Sequence, residues 1–358
     1  MLPILLRVPS GSRFHLGKTD VDDTSLYIHS DTLFSAWVNM FQWMYGSGQE
    51  MIGTARAGRF RLSSAFPCIE IPELNRVVRF LPRPDIAYRQ EGSDEVKNRK
   101  VLKKIQWVSE GVYARISAGL SVNGNHIGTS YSLQKSNKDL IRLGKSFLAL
   151  TTEIPVGEPG FSFLETLELP KVTVHTDDKT GSLYQEASFR LTEPVRVQTG
   201  TTEMTLVPAF YFLLDHQLET PELNRYLAAL RMLGDEGIGG NRSTGCGKFS
   251  PVVPNDFQQK PDRTSPLVFC LSVLSPKDEG DFGRLLRYDL FIRGGGSLGR
   301  FGNQDLHRKQ ARFCKEGAIG RPGIDGRLVD LSPAQSGNDH PVFRNGIAFT
   351  IPFGVSES

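Results

Sequence analysis

The feature that most constrains this chain is a glycine-rich segment that runs from Gly237 to Phe249 and reads GIGGNRSTGCGKF. Five of its first eleven residues are glycine, which is favoured where φ is positive or where the backbone passes close to another group. Before it, residues 220–222 (Thr-Pro-Glu) are typical of a helix start, and Gly234 is typical of a helix end. After it, residues 248–253 are typical of an edge strand, because their proline cannot donate to a ladder. The sequence therefore predicts a helix, a glycine loop and a strand in succession.

Two nucleotide-binding interpretations of this segment fail on spacing. A Walker A loop has a glycine five residues before its Gly-Lys pair and Ser or Thr after the pair. The pair Gly247-Lys248 has Arg242 and Phe249 at those places. A dinucleotide fingerprint opens a helix after a strand, whereas this loop leaves a helix and enters a strand. Two interpretations remain open: a flexible surface connection, or a run of backbone N–H groups suited to a polyanion, interleaved with the polar side chains of Arg242, Ser243, Thr244 and Lys248.

Composition narrows the class of protein. The 358 residues carry a net charge of +3, which is compatible with a nucleic-acid-binding subunit, and their number suggests two domains. The four cysteines lie far apart, which predicts neither a zinc site nor a disulfide framework and favours a reducing, cytoplasmic location. No stretch has the length of a membrane span. We therefore expect a cytoplasmic protein with no metal, no cofactor and no membrane segment.

The N-terminal part begins with an apolar strand over residues 2–8, followed by a loop of small and basic residues over 9–18. Arg13, His15 and Lys18 place positive or ionisable groups in this loop. Because single-stranded RNA is held by basic side chains and backbone N–H groups, we consider these three residues candidate RNA ligands.

The first convincing helix begins near Ser30, which is the expected N-cap, with Asp31 complementing the helix dipole. His29 lies just outside this helix start, where backbone N–H groups can hold a phosphate. A histidine at that place is equally compatible with a structural, hydrogen-bonded role. Both interpretations of His29 remain open from the sequence.

A projecting hairpin is predicted over residues 171–186. The first strand alternates from Lys171 to His175, a turn follows at 178–181, and the chain returns over 182–186. Tyr184 and Phe249 offer rings for base stacking, although Phe249 begins a strand and is expected in the core. Residues 119–146 are polar and weakly periodic, which predicts an insertion or a mobile loop.

The C-terminal part is predicted to form a second unit. Residues 255–265 are typical of a linker, and strands are predicted over 267–274, 286–292 and 344–353. A second glycine cluster occupies 294–302, and a basic stretch follows it.

With these features the chain resembles the RAMP-superfamily subunits of CRISPR effector complexes, and most closely the family of subunit 4 of the type III-A Csm complex, which caps the 5′ handle of crRNA. Four features carry the resemblance: the loop after the first strand followed by IHSDTLFSA at 28–36, SSAFP at 63–67 with LPRP at 81–84, the hairpin that ends in TGSLY at 180–184, and the helix, glycine loop and strand at 220–253.

The resemblance implies an α+β fold of two tandem ferredoxin-like (RRM-like) domains, residues 1–254 and 264–358, with the hairpin as a thumb and a glycine-rich loop at the end of the first domain. It implies a non-catalytic subunit that binds the crRNA 5′ handle, the large polymerase-like subunit and the backbone subunit that coats crRNA. The RNA-binding residues then expected are Arg13, His15, Lys18, His29, Ser30, Asp31, His175, Leu183, Tyr184, Gly237, Gly239, Gly240, Asn241, Arg242, Ser243, Thr244, Gly245 and Lys248.

Two other functions remain open from the sequence. Related RAMP proteins are metal-independent endoribonucleases that mature crRNA, and such an enzyme needs an acid and a base near the scissile phosphate. His15 and His29 are the histidines nearest the expected RNA path, but no feature of the sequence pairs them. The third possibility is a purely structural assembly subunit whose basic patches are solvated surface.

Overall fold

A computed structural model describes most of the chain. The described residues are 1–16, 25–89, 102–124, 126–134, 137–154, 162–174, 181–199, 202–253, 265–294, 296–298, 305–307, 309–332 and 342–354. The predicted linker at 255–265 falls outside them except for its last residue, and the tip of the predicted hairpin and most of the second glycine cluster also fall outside.

The described ranges contain five α-helices and two short 3₁₀ turns, Pro72–Leu74 and Arg242–Thr244. The helices are α1 (Ser30–Tyr45), α2 (Gln49–Arg56), α3 (Glu110–Ala118), α4 (Thr220–Glu236) and α5 (Glu279–Arg284). The N-cap of α1 is His29 rather than Ser30, so that prediction was wrong by one residue. The helix ends at Gly46, whose φ of 83° suits glycine.

The first part of the chain forms sixteen strands in the described residues. They are β1 (Leu2–Arg7), β2 (Arg13–Phe14), β3 (Phe60–Leu62), β4 (Phe66–Ile71), β5 (Arg76–Pro82), β6 (Ala87–Tyr88), β7 (Trp107–Ser109), β8 (Leu120–Asn123), β9 (His126–Thr129), β10 (Leu140–Leu143), β11 (Phe147–Leu150), β12 (Leu164–Val174), β13 (Gly181–Leu191), β14 (Val195–Thr199), β15 (Thr202–His216) and β16 (Ser250–Val252).

The second part adds ten shorter strands. They are β17 (Leu267–Cys270), β18 (Leu285–Arg287), β19 (Leu290–Arg293), β20 (Gly296–Leu298), β21 (Asp305–His307), β22 (Ala311–Cys314), β23 (Ile319–Gly320), β24 (Gly326–Asp330), β25 (Phe343–Ile347) and β26 (Thr350–Phe353).

The main sheet is built around the long strand β15. Its order is β10-β11-β7-β5-β4-β15-β1-β16, with β3 and β14 also pairing with β15. Every neighbouring pair along this order is antiparallel except β11 with β7. The strand after the glycine loop, β16, lies at the edge as predicted from its proline.

Both faces of the central strands are buried, because apolar residues follow one another without a polar break. In β15, Phe210 and Phe212 pack with α1, α2 and α4, whereas Tyr211 and Leu213 pack on the opposite face. That opposite core also contains Phe269, Phe349 and other residues of the C-terminal part. The second part of the chain therefore shares its core with the main sheet.

Three sequence predictions differ from the structure. Residues 119–146 are not a loose insertion, since they contain β8, β9 and β10, and Ile127 and Ile141 are buried. The region predicted as one strand over 286–292 is divided between β18 and β19, and the last predicted strand is divided between β25 and β26. In the last two cases a short turn lies between two strands that have different partners, which periodicity alone does not reveal.

Smaller sheets complete the fold. A four-stranded sheet has the order β18-β23-β17-β26, and three two-stranded ribbons pair β19 with β22, β20 with β21, and β24 with β25. The pairs β19–β22 and β20–β21 follow one another along a single hairpin, which we call the C-terminal hairpin (residues 287–315). Two three-stranded sheets, β12-β13-β2 and β6-β9-β8, contain the remaining strands.

Candidate nucleic-acid interface

The glycine loop leaves α4 at Gly237, three residues later than predicted. Gly234 does not end the helix; it lies within it, packed against the chain around Phe249. The N–H of Phe249 donates to the carbonyl oxygen of Gly234 at 3.1 Å. A Cβ on Gly234 would overlap this backbone, so glycine is required here by close approach and not by helix termination. Phe249 itself is buried, as predicted.

The loop is closed by its own backbone hydrogen bonds. The N–H of Ile238 donates to the carbonyl oxygen of Gly247 at 3.0 Å across the neck of the loop. The carbonyl oxygen of Asn241, whose φ is +57°, accepts from the N–H of Thr244 at 3.0 Å and from its hydroxyl at 2.8 Å. These bonds give the segment a defined shape, which an unstructured surface connection would lack.

The loop docks against the segment that follows β1. The N–H of Gly247 donates to the carbonyl oxygen of Arg13 at 2.7 Å, and that of Gly240 donates to the carbonyl oxygen of His15 at 2.9 Å. A Cβ on Gly239, where φ is +95°, would lie 2.5 Å from the His15 carbonyl oxygen. Glycine at 239 therefore allows the two backbones to meet.

The predicted hairpin also reaches this place. Strands β12 and β13 pair antiparallel over residues 164–191, a longer hairpin than predicted, and β2 adds to it by pairing Phe14 with Phe189. The Nδ1 of His15 lies 2.8 Å from the carbonyl oxygen of Ala187. Because a carbonyl can only accept, Nδ1 carries the proton. Thus the structure brings together three regions that the sequence suggested separately.

The outer surface of the glycine loop carries the groups suited to a polyanion. Arg242, Ser243, Thr244, Gly245 and Lys248 are all exposed. Within the described ranges, the N–H groups of Arg242 and Ser243 have no hydrogen-bond acceptor. The Arg242 guanidinium lies 3.5 Å from the Glu236 carboxylate, which offsets part of its charge. Of the remaining loop residues, Gly237 is buried, and Gly239, Gly240 and Asn241 are half-buried.

The hairpin extends past the loop with exposed apolar side chains. Leu183 is 70% exposed and faces Val172 across the strands, and Tyr184, which pairs with Lys171, is 39% exposed. Lys18 and His175 lie outside the described residues. The predicted tip of the thumb also lies outside the described residues, which leave out 175–180.

His29 occupies a buried polar cluster instead of an open surface. Its Nδ1 lies 2.8 Å from a carboxylate oxygen of Glu316, and its Nε2 lies 2.6 Å from the hydroxyl of Ser25. The hydroxyls of Tyr27 and Ser64 donate to the same carboxylate. Both ring nitrogens are thus occupied within the protein, as the structural interpretation of this histidine expects.

The charge of this cluster is stabilised despite its burial. Burial alone would raise the pKa of the Glu316 carboxyl, but His29 and the hydrogen bonds it accepts outweigh this and lower its pKa to about 2. The pKa of the Tyr27 hydroxyl is raised well above its usual value, first by burial and then by the neighbouring Glu316 charge. The cluster therefore holds a buried carboxylate that joins the two parts of the chain.

Ser30 and Asp31 also face the C-terminal part. The Ser30 hydroxyl accepts from the N–H of Val273 at 2.9 Å. The two carboxylate oxygens of Asp31 each lie 3.0 Å from an arginine, Arg293 and Arg344. Asp31 is fully buried, so its side chain and that of His29 have intramolecular partners where the sequence suggested RNA contacts.

Sequence reasoning did not identify Glu316, Arg293 or Arg344 as partners of α1. Each lies more than 260 residues from the side chain it contacts. Glu316 directly follows a basic stretch that ends at Lys315. This single acid beside several basic residues was the sequence feature that could have indicated a special role for Glu316.

No group of three or more metal-ligating side chains occurs in the described part of the chain. None of the helices within the described ranges is long and apolar enough to cross a membrane.

Comparison with known proteins shows which proteins the chain is similar to. Residues 263–353 match the family model of the CRISPR Csm4 C-terminal domain. The whole chain is similar to the CRISPR system Cms protein Csm4 of Methanocaldococcus jannaschii, with 25% identity over 390 residues that cover 99% of this chain and 98% of the relative.

The fold is similar to that of two solved complexes. One is a Csm3-Csm4 subcomplex of the type III-A CRISPR-Cas interference complex (TM-score 0.67, 21% identity, 99% of this chain and 100% of the other). The second is a Csm1-Csm4 cassette in complex with AMPPNP (TM-score 0.52, 17% identity, 100% and 99%). These findings agree with the resemblance seen in the sequence: the C-terminal part of the chain matches the Csm4 family model, and the chain as a whole is similar to Csm4 proteins of CRISPR systems.

Proposed function

We propose that this chain is the non-catalytic subunit of a type III-A interference complex that caps the 5′ handle of crRNA and links it to the large subunit. The observation that carries the proposal is the junction of the glycine loop, the loop after β1 and the base of the β12–β13 hairpin. Arg242 and Lys248 are exposed there, and no acceptor for the N–H groups of Arg242 and Ser243 occurs in the part of the chain that the structure describes. Basic side chains and backbone donors beside exposed rings are the means by which proteins hold single-stranded RNA.

We also propose that both halves are ferredoxin-like (RRM-like) domains, covering 1–254 and 264–358. The order β16-β1-β15-β4, with α1 after β1 and α4 after β15, supports this for the first half. In the second half, the order β26-β17-β23-β18 repeats the same relation of sequence to space, with α5 between β17 and β18. The shared core between the halves indicates that the two domains act as one support for RNA.

The hairpin β12–β13 is proposed to act as a thumb beside the handle. Val172 and Leu183 form an exposed apolar pair directly across its strands. An apolar pair of this kind can separate neighbouring bases, and Tyr184 can stack on one; a stacked base contributes about 1–3 kcal/mol.

The proposed protein partners are the backbone subunit Csm3 and the large subunit Csm1, because the similar structures are complexes of Csm4 with these two proteins. Four free, buried cysteines further support a reducing, cytoplasmic setting.

The test is fluorescence anisotropy of the purified chain with labelled handle RNA and with a scrambled RNA of equal length. We expect preference for the handle and weaker binding by the double variant Arg242→Ala, Lys248→Ala. If each side chain contacts one phosphate, the salt slope of binding falls by about 1.4 in that variant, since each single-strand contact contributes about 0.7.

A matched control removes two exposed charges elsewhere. Lys138 and Lys145 lie beside β10, at the edge of the main sheet opposite β16, so Lys138→Ala with Lys145→Ala should bind like the wild type. Equal, weak binding of both RNAs by the wild type would contradict the handle-capping function.

The same samples test the nuclease alternative. A gel run after the anisotropy measurement should show intact RNA without added metal. Cleavage of repeat RNA would instead require an acid and a base other than His29, whose ring nitrogens are engaged with Ser25 and Glu316.

A further inference from the structure

One face of the β12–β13 hairpin carries a carboxylate whose hydrogen-bonding capacity is unused. Only a tenth of the Glu186 side chain is exposed. Among the residues that the structure describes, no donor binds its carboxylate, and its ion-pair partner is Lys171, with 3.9 Å between Oε1 and Nζ. Because a buried carboxylate without hydrogen bonds is costly in free energy, Glu186 is suited to accept hydrogen bonds from a ligand.

Glu186 shares this face with Tyr184 and Lys171. Side chains alternate between the two faces of a strand, so positions 184 and 186 of β13 lie on the same side, about 7 Å apart. Lys171 pairs with Tyr184 across the hairpin and therefore lies on that side as well. Tyr184 is 39% exposed, and so is the Lys171 side chain. We call Lys171, Tyr184 and Glu186 the carboxylate face of the hairpin.

The carboxylate face adjoins the place where the glycine loop docks. Ala187, the residue after Glu186, supplies the carbonyl oxygen that lies 2.8 Å from Nδ1 of His15. The backbone carbonyl of His15 in turn accepts from the N–H of Gly240. Ser188, which follows on the same face as Glu186, has a buried hydroxyl with no hydrogen-bond partner in the described part of the chain. The unused carboxylate thus lies one residue away from a direct contact with the segment that holds the glycine loop.

The charges at this face decide which kind of group Glu186 accepts. A phosphate is excluded because the carboxylate repels it. A cation, such as an arginine of a protein partner, gains little because Glu186 and Lys171 together have no net charge. A neutral N–H donor meets neither obstacle. In RNA such donors lie on the base edges, which proteins read in single strands while an aromatic ring such as Tyr184 stacks on the base.

The base whose edge matches a carboxylate is guanine. Its Watson–Crick edge has two adjacent donors, N1–H and N2–H, for the two oxygens of one carboxylate. In adenine and cytosine the amino group lies beside a ring nitrogen whose lone pair repels a carboxylate. In uracil the N3–H lies between two carbonyl oxygens, which do the same. The hydrogen-bond pattern therefore distinguishes guanine from the other three bases.

We propose that the carboxylate face is a recognition site for a guanine base of the bound RNA. Glu186 accepts from N1–H and N2–H, Tyr184 stacks on the base, and Lys171 offsets the repulsion between the carboxylate and the neighbouring phosphates. The proposal rests on the proposed RNA-binding function, and it adds a preference for one base to contacts that otherwise involve the RNA backbone.

The experiment measures fluorescence anisotropy of the full-length chain with labelled nonamers, in which one variable base lies in the middle of an oligouridine strand. That base is guanine, inosine, adenine, cytosine or uracil; inosine keeps N1–H but lacks the N2 amino group. We expect the wild type to bind the guanine RNA about tenfold more tightly than the adenine, cytosine and uracil RNAs, because bidentate contacts to a base edge commonly discriminate by about that factor or more. The inosine RNA should lie between them.

The test variant is Glu186→Gln, whose amide keeps one acceptor oxygen and replaces the other with a donor. Its preference for guanine should fall to about twofold or less. The control is Glu168→Gln, which removes an exposed carboxylate from the opposite face of the same hairpin, where Glu168 pairs with Ala187. The control should keep the full preference, and any general gain from the loss of one negative charge appears in both variants. Urea unfolding establishes that both variants fold, and the comparison of guanine with inosine on the wild type needs no substitution.

Each other result has a distinct meaning. Equal binding of all five RNAs by the wild type would overturn the proposal, while handle capping would stand if Arg242→Ala with Lys248→Ala still weakens binding of handle RNA. A guanine preference that persists in Glu186→Gln would also overturn it, because another group then reads the base. If that variant in addition fails to co-purify with Csm1 or Csm3, the carboxylate belongs to a protein interface. Absence of binding to any RNA would contradict both the guanine site and the RNA-binding function.

Discussion

Replacing Glu316 with glutamine tests whether the buried cluster holds the two parts of the chain together. The variant keeps the shape of the side chain but removes the charge that His29, Tyr27 and Ser64 face. The carboxyl pKa falls from 4.5 to about 2 in the folded protein. At 1.36 kcal/mol per unit, that shift corresponds to about 3 kcal/mol of stability at neutral pH. This value agrees with the loss of about 3–5 kcal/mol that commonly follows removal of one partner from a buried ion pair.

The sign of the pH dependence follows from the lowered pKa. The unfolded carboxyl takes up its proton near pH 4.5, whereas the folded one does so only near pH 2. The stabilisation is therefore complete above pH 4.5 and is lost as pH falls toward 2. Urea unfolding between these values should show a steeper loss of stability in the wild type than in Glu316→Gln.

The control for this experiment is Glu168→Gln, because Glu168 is an exposed carboxylate on β12. Its effect should stay within about 0.5 kcal/mol, as for most surface substitutions. The reasoning is refuted if Glu316→Gln at neutral pH is as stable as this control, since the cluster would then contribute nothing to the union of the two parts.

Three further outcomes follow from the geometry. Gly239→Ala should lower the free energy of unfolding by more than about 1 kcal/mol and weaken handle binding, because its Cβ would meet the His15 carbonyl at a φ of +95°; urea unfolding and anisotropy measure the two effects. Glu236→Gln should tighten RNA binding two- to threefold (about 0.5 kcal/mol), because it frees Arg242 from its carboxylate partner; unchanged affinity would mean that Arg242 does not contact RNA. A thiol reagent should modify Cys314 only after unfolding, because the thiol is buried and its pKa is raised to about 12 by burial; rapid labelling of the native protein would contradict its position.

Local patterns in the sequence predicted the elements that depend on neighbouring residues. Helical spacing predicts an apolar stripe in α1 of Leu33, Phe34, Trp37, Phe41 and Met44; the first four are buried, whereas Met44, in the last turn, is 40% exposed. The glycine loop does join a helix to an edge strand. These predictions succeed because helical period and strand edge are set within a few residues of the chain. For the contact between the glycine loop and His15, the sequence offered one indication: the loop's many glycines predict that its backbone passes close to another group.

The parts that could not be predicted depend on distant partners. Residues 119–146 have weak periodicity because β8, β9 and β10 are short: β8 has no buried residue, β9 has one buried apolar side chain (Ile127), and β10 has two (Ile141 and Leu143). Asp31 looks like a dipole-compensating acid in the sequence, and in the structure it is the common partner of Arg293 and Arg344. No local pattern specifies a contact across that sequence separation.

The segment from Ser25 to Asp31 connects these observations. On one side it adjoins Leu16 and the glycine loop, and on the other it holds Phe291 and Arg293 at the base of the C-terminal hairpin. His29, Ser30 and Asp31 are buried, so a substitution there acts on the proposed RNA surface only through the position of the loop after β1. Loss of RNA binding in a His29 variant would thus not identify His29 as an RNA ligand. Urea unfolding of the same variant separates the two cases, because loss of a structural contact lowers the free energy of unfolding, whereas loss of an RNA contact alone leaves it unchanged.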